Sequence, residues 1–200
     1  MKRIFTTIVM LMALVSLSYS QNNTYLLVKH DCFTINVGIG HLFNCKIGDY
    51  DFNQDYVSYN FGIGKYITER TGVSLQFSYD NSTNREAETR LYTIGAEVNN
   101  RLTNYYAYSP VDVILNIGLS YGRFDYKDDM IDSEGMDYIV PKVSLDIVFN
   151  LTSDKAYQLA IEPSYQYFAA TKDKYYYDDG SKVKGNISLL GILGKLMINF

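Results

Sequence analysis

Apolar residues recur at every second position along most of the chain beyond residue 32. The first such segment, 33–40, reads FTINVGIG, so that four apolar residues alternate with four polar or glycine residues. A period of two is the pattern of a β-strand with two unlike faces. Eight segments show it and together reach the final residue: 33–40, 57–64, 73–79, 92–98, 111–122, 139–149, 157–167 and 190–200.

The connections between these segments alternate in length. Long polar stretches lie at 42–55, 81–88, 125–137 and 170–186, and shorter connections lie around 68–71, 100–109 and 151–156. Strict alternation of this kind is typical of an up-and-down meander whose two ends differ. The pattern therefore predicts an all-β protein built as an eight-stranded antiparallel up-and-down barrel.

Two kinds of barrel fit such alternation, and they differ in which face is apolar. A soluble lipocalin-like barrel turns its apolar face inward onto a ligand, whereas a transmembrane barrel turns it outward onto lipid. None of the apolar-face positions is charged, and a Lys or Arg facing the bilayer midplane would cost about 2–4 kcal/mol. The polar face is rich in glycine, which leaves room for large polar side chains in a narrow interior. These glycines are 38, 40, 62, 64, 72, 95, 118, 122 and 191. A transmembrane barrel is therefore favoured, with a soluble periplasmic ligand-binding barrel as an alternative.

Tyrosines and prolines refine this prediction. Tyrosines gather near the segment ends, as aromatic girdles at membrane interfaces do. They are Tyr66, Tyr79, Tyr92, Tyr121, Tyr138, Tyr157, Tyr165 and Tyr167. Pro141 and Pro163 fall inside segments and cannot donate to a strand ladder, so we expect Pro141 at a rim and Pro163 at a bulge.

The N-terminus has the features of an export signal. A basic start, 1–3, is followed by an apolar run, 4–17, and then by Ser18-Tyr19-Ser20. This order predicts a secretory signal peptide over 1–20 that is cleaved before Gln21. We accordingly expect a periplasmic segment at 21–32, the barrel at 33–200, and the four long connections outside the cell.

Composition and charge narrow the function. The chain is 47% hydrophobic with 20 Tyr, which argues against disorder. Its net charge of −4 becomes two units more negative without Lys2 and Arg3, and nothing in it suggests nucleic-acid binding. Cys32 and Cys45 fall at opposite ends of the first strand, too far apart for a disulfide, so we predict none.

A signal peptide, eight alternating strands and the terminal Ile198-Asn199-Phe200 resemble the small Gram-negative outer-membrane β-barrel proteins of the OmpA/OmpX kind. The resemblance implies a monomer in the outer membrane, in contact with lipid and lipopolysaccharide. It also implies that the outer-membrane assembly machinery recognises the last strand through Leu196, Ile198 and Phe200. The sequence departs from the usual signal because Gly194 stands one place from the expected glycine, where Lys195 is found.

Charged residues on the polar face form the predicted barrel-interior polar network. They are Glu97, Asp112, Lys142, Asp146, Glu162 and Lys195. One interpretation makes them the lining of a narrow, porin-like pore for ions or small solutes. The other makes them a paired polar core that fills the barrel, which the narrow interior of eight strands favours. Because acids outnumber bases four to two, either some carboxyls are protonated or an Arg or Lys near the rim joins them.

Few residues in the sequence indicate catalysis or metal binding. Acyl transfer would need a histidine beside a serine and a carboxylate, but His30 precedes the first strand and His41 lies on the apolar parity. The acidic stretch 125–137 lacks the spacing of an EF-hand and is interpreted as a solvated charge cluster. We therefore predict no enzyme activity, no cofactor and no metal site. The predicted role is structural or interactive: membrane integrity, adhesion or recognition through the extracellular loops.

Overall fold

The structure, a computed structural model, describes twelve stretches of the chain: residues 33–47, 50–52, 55–68, 70–84, 87–103, 109–128, 131–132, 135–152, 155–171, 175–176, 182–183 and 185–200. The predicted signal peptide 1–20 and periplasmic segment 21–32 lie outside these residues. His30 and Cys32 lie outside them as well. The prediction that Cys32 and Cys45 form no disulfide therefore stays a prediction.

Eight long antiparallel strands pair in chain order, and the last pairs with the first to close a barrel. Consecutive strands can be neighbours in the sheet because an antiparallel pair can be joined directly, without a crossover. The strands are β1 (Phe33–Ile47), β2 (Tyr56–Tyr66), β3 (Thr71–Asn84), β4 (Ala87–Arg101), β5 (Val111–Asp128), β6 (Met136–Asn150), β7 (Tyr157–Ala170) and β8 (Ile187–Asn199). This confirms the predicted fold class.

The two ends of the barrel differ. At one end, which we call the terminal end, Phe33 and Phe200 exchange two backbone hydrogen bonds of 2.9 and 3.0 Å. The opposite end is called the loop end. At the loop end the strands continue into connections that were predicted to be loops, and β3 pairs with β4 as far as Asn84 and Ala87. Short paired pieces extend this end further: Tyr50–Phe52, Ile131–Asp132, Tyr175–Tyr176 and Lys182–Val183.

The apolar face of every strand points outward. Leu75, Ile94 and Leu119 are 62%, 60% and 60% exposed, whereas the inward positions between them are largely buried and polar. A soluble protein would bury its apolar face, so this reversed distribution is that of a transmembrane barrel. It excludes the soluble ligand-binding alternative.

Among the described residues, none belongs to a helix that is long and apolar enough to cross a membrane.

Aromatic side chains flank the outward apolar band. At the loop end the Tyr79 ring stacks on that of Tyr59 and meets that of Tyr92 at a tilt, with ring centroids 6.3 and 5.2 Å away. Two tyrosines expected in the girdles lie inside the barrel instead, because their positions have the inward parity. Tyr66 is 8% exposed and Tyr138 is fully buried.

The ladder between β6 and β7 is interrupted at two places. Paired residues skip 140–141 and 145–146 of β6, opposite 167–168 and 162–163 of β7. Each gap contains a proline, Pro141 or Pro163, which has no N–H to donate. The register is the same on both sides of each gap, so the bulge predicted at Pro163 is absent from this strand pair. Pro141 lies inside β6, where it pairs with the exposed Leu119 of β5. The expectation that Pro141 lies at a rim was therefore wrong.

Candidate functional site

A chain of ion pairs crosses the middle of the barrel interior. Lys142 Nζ lies 2.9 Å from Glu97 Oε1 and 2.7 Å from Glu162 Oε1. Lys195 bridges Glu162 to Asp146, whose Oδ1 is 3.3 Å from Lys195 Nζ. All five side chains are buried or nearly so, and they come from β4, β6, β7 and β8. The structure thus brings together five of the six charged residues singled out in the sequence.

Amide and hydroxyl side chains support this ion chain. Asn116 Nδ2 donates to Asp146 Oδ2 at 2.9 Å and to Ser144 Oγ at 3.3 Å. Asn99 in turn donates to Asn116 Oδ1 at 2.9 Å. Gly118 faces Glu97, and a Cβ at this position would lie 2.7 Å from Glu97 Cγ. Glycine on the inner face therefore makes room for a buried carboxylate, as predicted from composition.

Asp112, the sixth predicted residue, lies apart from the other five at the terminal end. Its carboxylate accepts hydrogen bonds from four side chains, which together with Asp112 we call the rim cluster. The donors are Arg101 (3.1 Å), Thr103 (2.8 Å), Asn150 (3.0 Å) and Lys155 (2.8 Å). Arg101 and Lys155 are the basic side chains near the rim that the excess of acids in the sequence called for.

Lys155 reaches this position because its turn has an unusual backbone. It is the one non-glycine residue with positive φ in the described part of the chain, at 58°. Only a few per cent of non-glycine residues adopt this conformation, and here it aims the side chain into the barrel. Burial lowers the pKa of the Lys155 ammonium, and the charge of Asp112 opposes that shift. The turn is also tied to β8, since Asn199 Nδ2 donates to the Lys155 carbonyl at 2.6 Å.

An apolar plug closes the interior at the loop end. Tyr138 and Phe168 pack edge to face, with centroids 5.7 Å apart, and both are fully buried. The other buried members are Leu42, Tyr56, Leu91, Phe124, Val140, Ile187 and Leu189. A smaller apolar cluster lies at the other end of the polar layer and consists of Tyr66, Ile114, Val148, Ala160 and Met197.

The plug, Arg101 and Lys155 were not predicted from the sequence. Most plug residues stood in stretches assigned to loops or at strand ends, where the alternation was not followed further. Extending the parity of each strand by a few residues would have placed Leu42, Leu91 and Phe124 on the inner face. Nothing in the sequence marks Lys155, because its role depends on a turn conformation.

The residues of the predicted assembly signal lie on the outer surface. Leu196, Ile198 and Phe200 are 39%, 36% and 64% exposed on the outward face at the end of the chain. The Phe200 ring stacks on Phe33 with centroids 6.3 Å apart. The last strand therefore presents a row of apolar side chains to lipid.

The described residues contain little that could carry catalysis. His41 lies on the outer face, where its ring Nδ1 is 2.8 Å from the Tyr56 carbonyl oxygen. No group of three or more His, Cys, Asp or Glu side chains in the described stretches is arranged to hold a metal ion. Within the acidic stretch 125–137, Asp125 pairs with Arg123 at 3.1 Å and Asp137 accepts from Tyr121. Asp129 and Glu134 lie outside the described residues.

Solved structures share this fold over most of the chain. Neisserial surface protein A has a TM-score of 0.62 at 15% identity, covering 86% of this chain and 98% of that one. A major outer membrane protein from Thermus thermophilus has a TM-score of 0.59 at 13% identity, covering 86% and 100%. Ail, the attachment invasion locus protein of Yersinia pestis, has a TM-score of 0.57 at 15% identity, covering 86% and 100%. No protein-family model and no curated protein sequence matches the chain.

At these identities the likeness concerns the fold. It joins two observations on the chain itself, the closed eight-stranded barrel and the apolar outward face. The predicted resemblance is thereby confirmed: the chain is an eight-stranded transmembrane β-barrel with the fold of the small outer-membrane barrel proteins.

Proposed function

We propose that this protein is a closed structural barrel that stabilises the outer membrane and presents an interaction surface beyond the lipid. The observation that carries this proposal is the filled interior. The apolar plug, the ion chain and the rim cluster follow one another along the barrel axis. A barrel filled in this way is suited to rigidity rather than to transport.

The extension of the strands at the loop end supports a role in surface interaction. β5 continues to Asp128, well past the girdle residue Tyr121. Strands that project beyond the lipid place their outer ends, where the long connections begin, away from the membrane surface. Adhesion or recognition of an extracellular partner would take place on these loops.

A narrow pore is the competing function, and conductance separates the two. The refolded barrel is inserted into planar lipid bilayers, and single-channel currents are recorded at increasing voltage. We expect no stepwise currents above the bare-bilayer level, because the plug and the rim cluster close both ends. Reproducible unitary currents from heat-modifiable, fully folded protein would overturn the proposal.

Partners and processing follow from the same proposal. The exposed apolar band contacts outer-membrane lipid and lipopolysaccharide, and the barrel acts as a monomer. The assembly machinery recognises Leu196, Ile198 and Phe200 on the last strand. The leader 1–20 is removed during export, and N-terminal sequencing of the protein from outer-membrane fractions should then begin at Gln21.

A further inference from the structure

One carboxyl group of the interior differs from the others in its partners. Asp80, on the inner face of β3, is fully buried and forms no ion pair with any of the described residues. The other four buried carboxyl groups each lie within 3.3 Å of a lysine or arginine nitrogen: Glu97, Asp112, Asp146 and Glu162. A buried carboxylate without a counter-charge is costly, and binding a proton removes that cost.

The charges of the interior are divided unequally along the barrel. At the terminal end, the rim cluster sets Arg101 and Lys155 against Asp112 alone. The rest of the interior holds four carboxyl groups and two ammonium groups among the described residues: Asp80, Glu97, Asp146 and Glu162 with Lys142 and Lys195. Lys142, the cation whose charge acts on Asp80, already contacts two other carboxylates. This part of the interior therefore has more carboxyl groups than cations to neutralise them.

Hydroxyl groups form the hydrogen bonds of Asp80. Ser78 Oγ donates to Asp80 Oδ2 at 3.2 Å, and Ser58 on β2 forms a second hydrogen bond with the carboxyl group. Asp80 Oδ1 has no partner among the described residues. A hydroxyl can donate or accept a hydrogen bond, so these partners can serve a protonated carboxyl group as well as an ionised one.

The strands on either side of β3 place few titratable groups near Asp80. The residues paired with it are Ser58 on β2 and Leu91, a member of the apolar plug, on β4. Within two positions of these partners on the inner face, the one titratable residue is Tyr56. From across the interior, Lys142 of β6 is the charged group that faces Asp80.

We propose that Asp80 is a proton-binding site, at which the folded barrel takes up one proton under mildly acidic conditions. Protonation removes an uncompensated charge next to the apolar plug. An aspartate in the unfolded chain has lost its proton by about pH 5. Because the folded barrel then binds one proton more than the unfolded chain, the site stabilises the barrel at low pH, and this contribution is lost as the pH rises. The site goes beyond the structural role proposed above and requires no opening of the interior.

Asp80→Asn, which is neutral at every pH and similar in size, tests this linkage. The urea midpoint of unfolding is compared with that of the wild type at about pH 5 and about pH 8. We expect similar midpoints at the lower pH and a higher midpoint for Asp80→Asn at the higher pH, where the wild type buries an unpaired charge. A difference between the two proteins that is the same at both pH values, or a lower midpoint for Asp80→Asn at the higher pH, would overturn the proposal.

Asp146→Asn is the matched control, because Asp146 is also buried but has Lys195 Nζ at 3.3 Å. Its midpoint should lie below that of the wild type at the higher pH, since the substitution removes a counter-charge from a buried lysine. A rise for Asp146→Asn equal to that for Asp80→Asn would overturn the distinction between the two carboxyl groups.

A direct measurement on the wild type does not depend on the folding of a variant. NMR spectra of the refolded barrel, with isotope-labelled aspartate carboxyl carbons, are recorded between about pH 5 and about pH 8. We expect one carboxyl resonance to titrate in this range and to be missing from Asp80→Asn. A wild type in which no aspartate carboxyl titrates there would overturn the proposal, and a titrating resonance that persists in Asp80→Asn would overturn its assignment to Asp80.

Discussion

Lys155 and Asp112 meet inside the terminal end of the barrel, with Nζ 2.8 Å from Oδ2, although 43 residues separate them in sequence. Their contact joins the turn between β6 and β7 to the start of β5. Arg101, at the end of β4, and Asn150, at the end of β6, donate to the same carboxylate. One acidic side chain therefore ties together two of the turns at this end of the barrel.

Replacing Asp112 with Asn should destabilise the barrel by about 3–5 kcal/mol, because Arg101 and Lys155 would be left buried without their counter-charge. The chain contains no Trp, so unfolding in urea is best followed by the heat-modifiable gel shift. Asp125→Asn is the control, since Asp125 pairs with Arg123 in an exposed salt bridge and its loss should change little. Equal effects of the two substitutions would contradict the importance assigned to the rim cluster.

The apolar plug should be sensitive to truncation, whereas the lipid-facing aromatics should not. Phe168→Ala removes a fully buried ring and should cost about 3–5 kcal/mol. Phe77→Ala removes a ring that is 43% exposed towards lipid, where acyl chains can take its place, and should cost much less. Urea titration of the two variants in the same lipid tests this difference, and the reverse order of stability would contradict the assignment of the plug.

The depth of the lipid-facing band can be probed along one strand. Leu119→Arg places a charge in the middle of the band and should destabilise the barrel by about 2–4 kcal/mol. Val111→Arg, on the same face at the first residue of β5, should cost about 0–1 kcal/mol because the charge reaches the interface. Folding titrations in liposomes measure both values. A similar cost at the two positions would argue against a membrane that ends near Val111.

Phe200 allows a test of the assembly signal against simple packing. Phe33→Ala and Phe200→Ala each abolish the same aromatic stack, but only the second alters the terminal residue that follows the last strand. If recognition of that residue is what matters, Phe200→Ala should lower the folded fraction in the outer membrane and Phe33→Ala should not. Folded and unfolded forms are quantified by gel shift after membrane fractionation. Equal losses would assign the effect to the stack itself.

Parity along the strands was sufficient to predict the fold because each strand has one face towards lipid and one towards a polar core. The same reasoning placed Glu97, Lys142 and Asp146 on the inner face. It could not show which charges pair, because pairing depends on the register between strands that are distant in sequence. Lys142 and Glu97, for example, are 45 residues apart and meet across the interior from β6 and β4, two strands that do not pair with each other.

The apolar plug and the inward position of Lys155 were not predicted from the alternation of apolar and polar residues, for two different reasons. The plug was missed because the alternation was followed only as far as the apolar residues faced outward. Beyond that point the inner face becomes apolar, as at Leu42 and Phe124, and the outer face becomes charged, as at Arg123. Lys155 was missed because a left-handed turn residue, rather than a strand position, directs its side chain inward.

The gaps at Pro141 and Pro163 have a mechanical consequence for the barrel. Both fall on the β6–β7 seam, so this pair of strands is held by fewer backbone rungs than its complete neighbours β5–β6 and β7–β8. The Lys142–Glu162 ion pair spans the same seam from the inside, and it joins the paired residues between the two gaps on β6 to the second gap on β7. A salt bridge therefore contributes to holding this strand pair together. We expect a lateral force on the barrel wall to separate β6 from β7 before the neighbouring strand pairs.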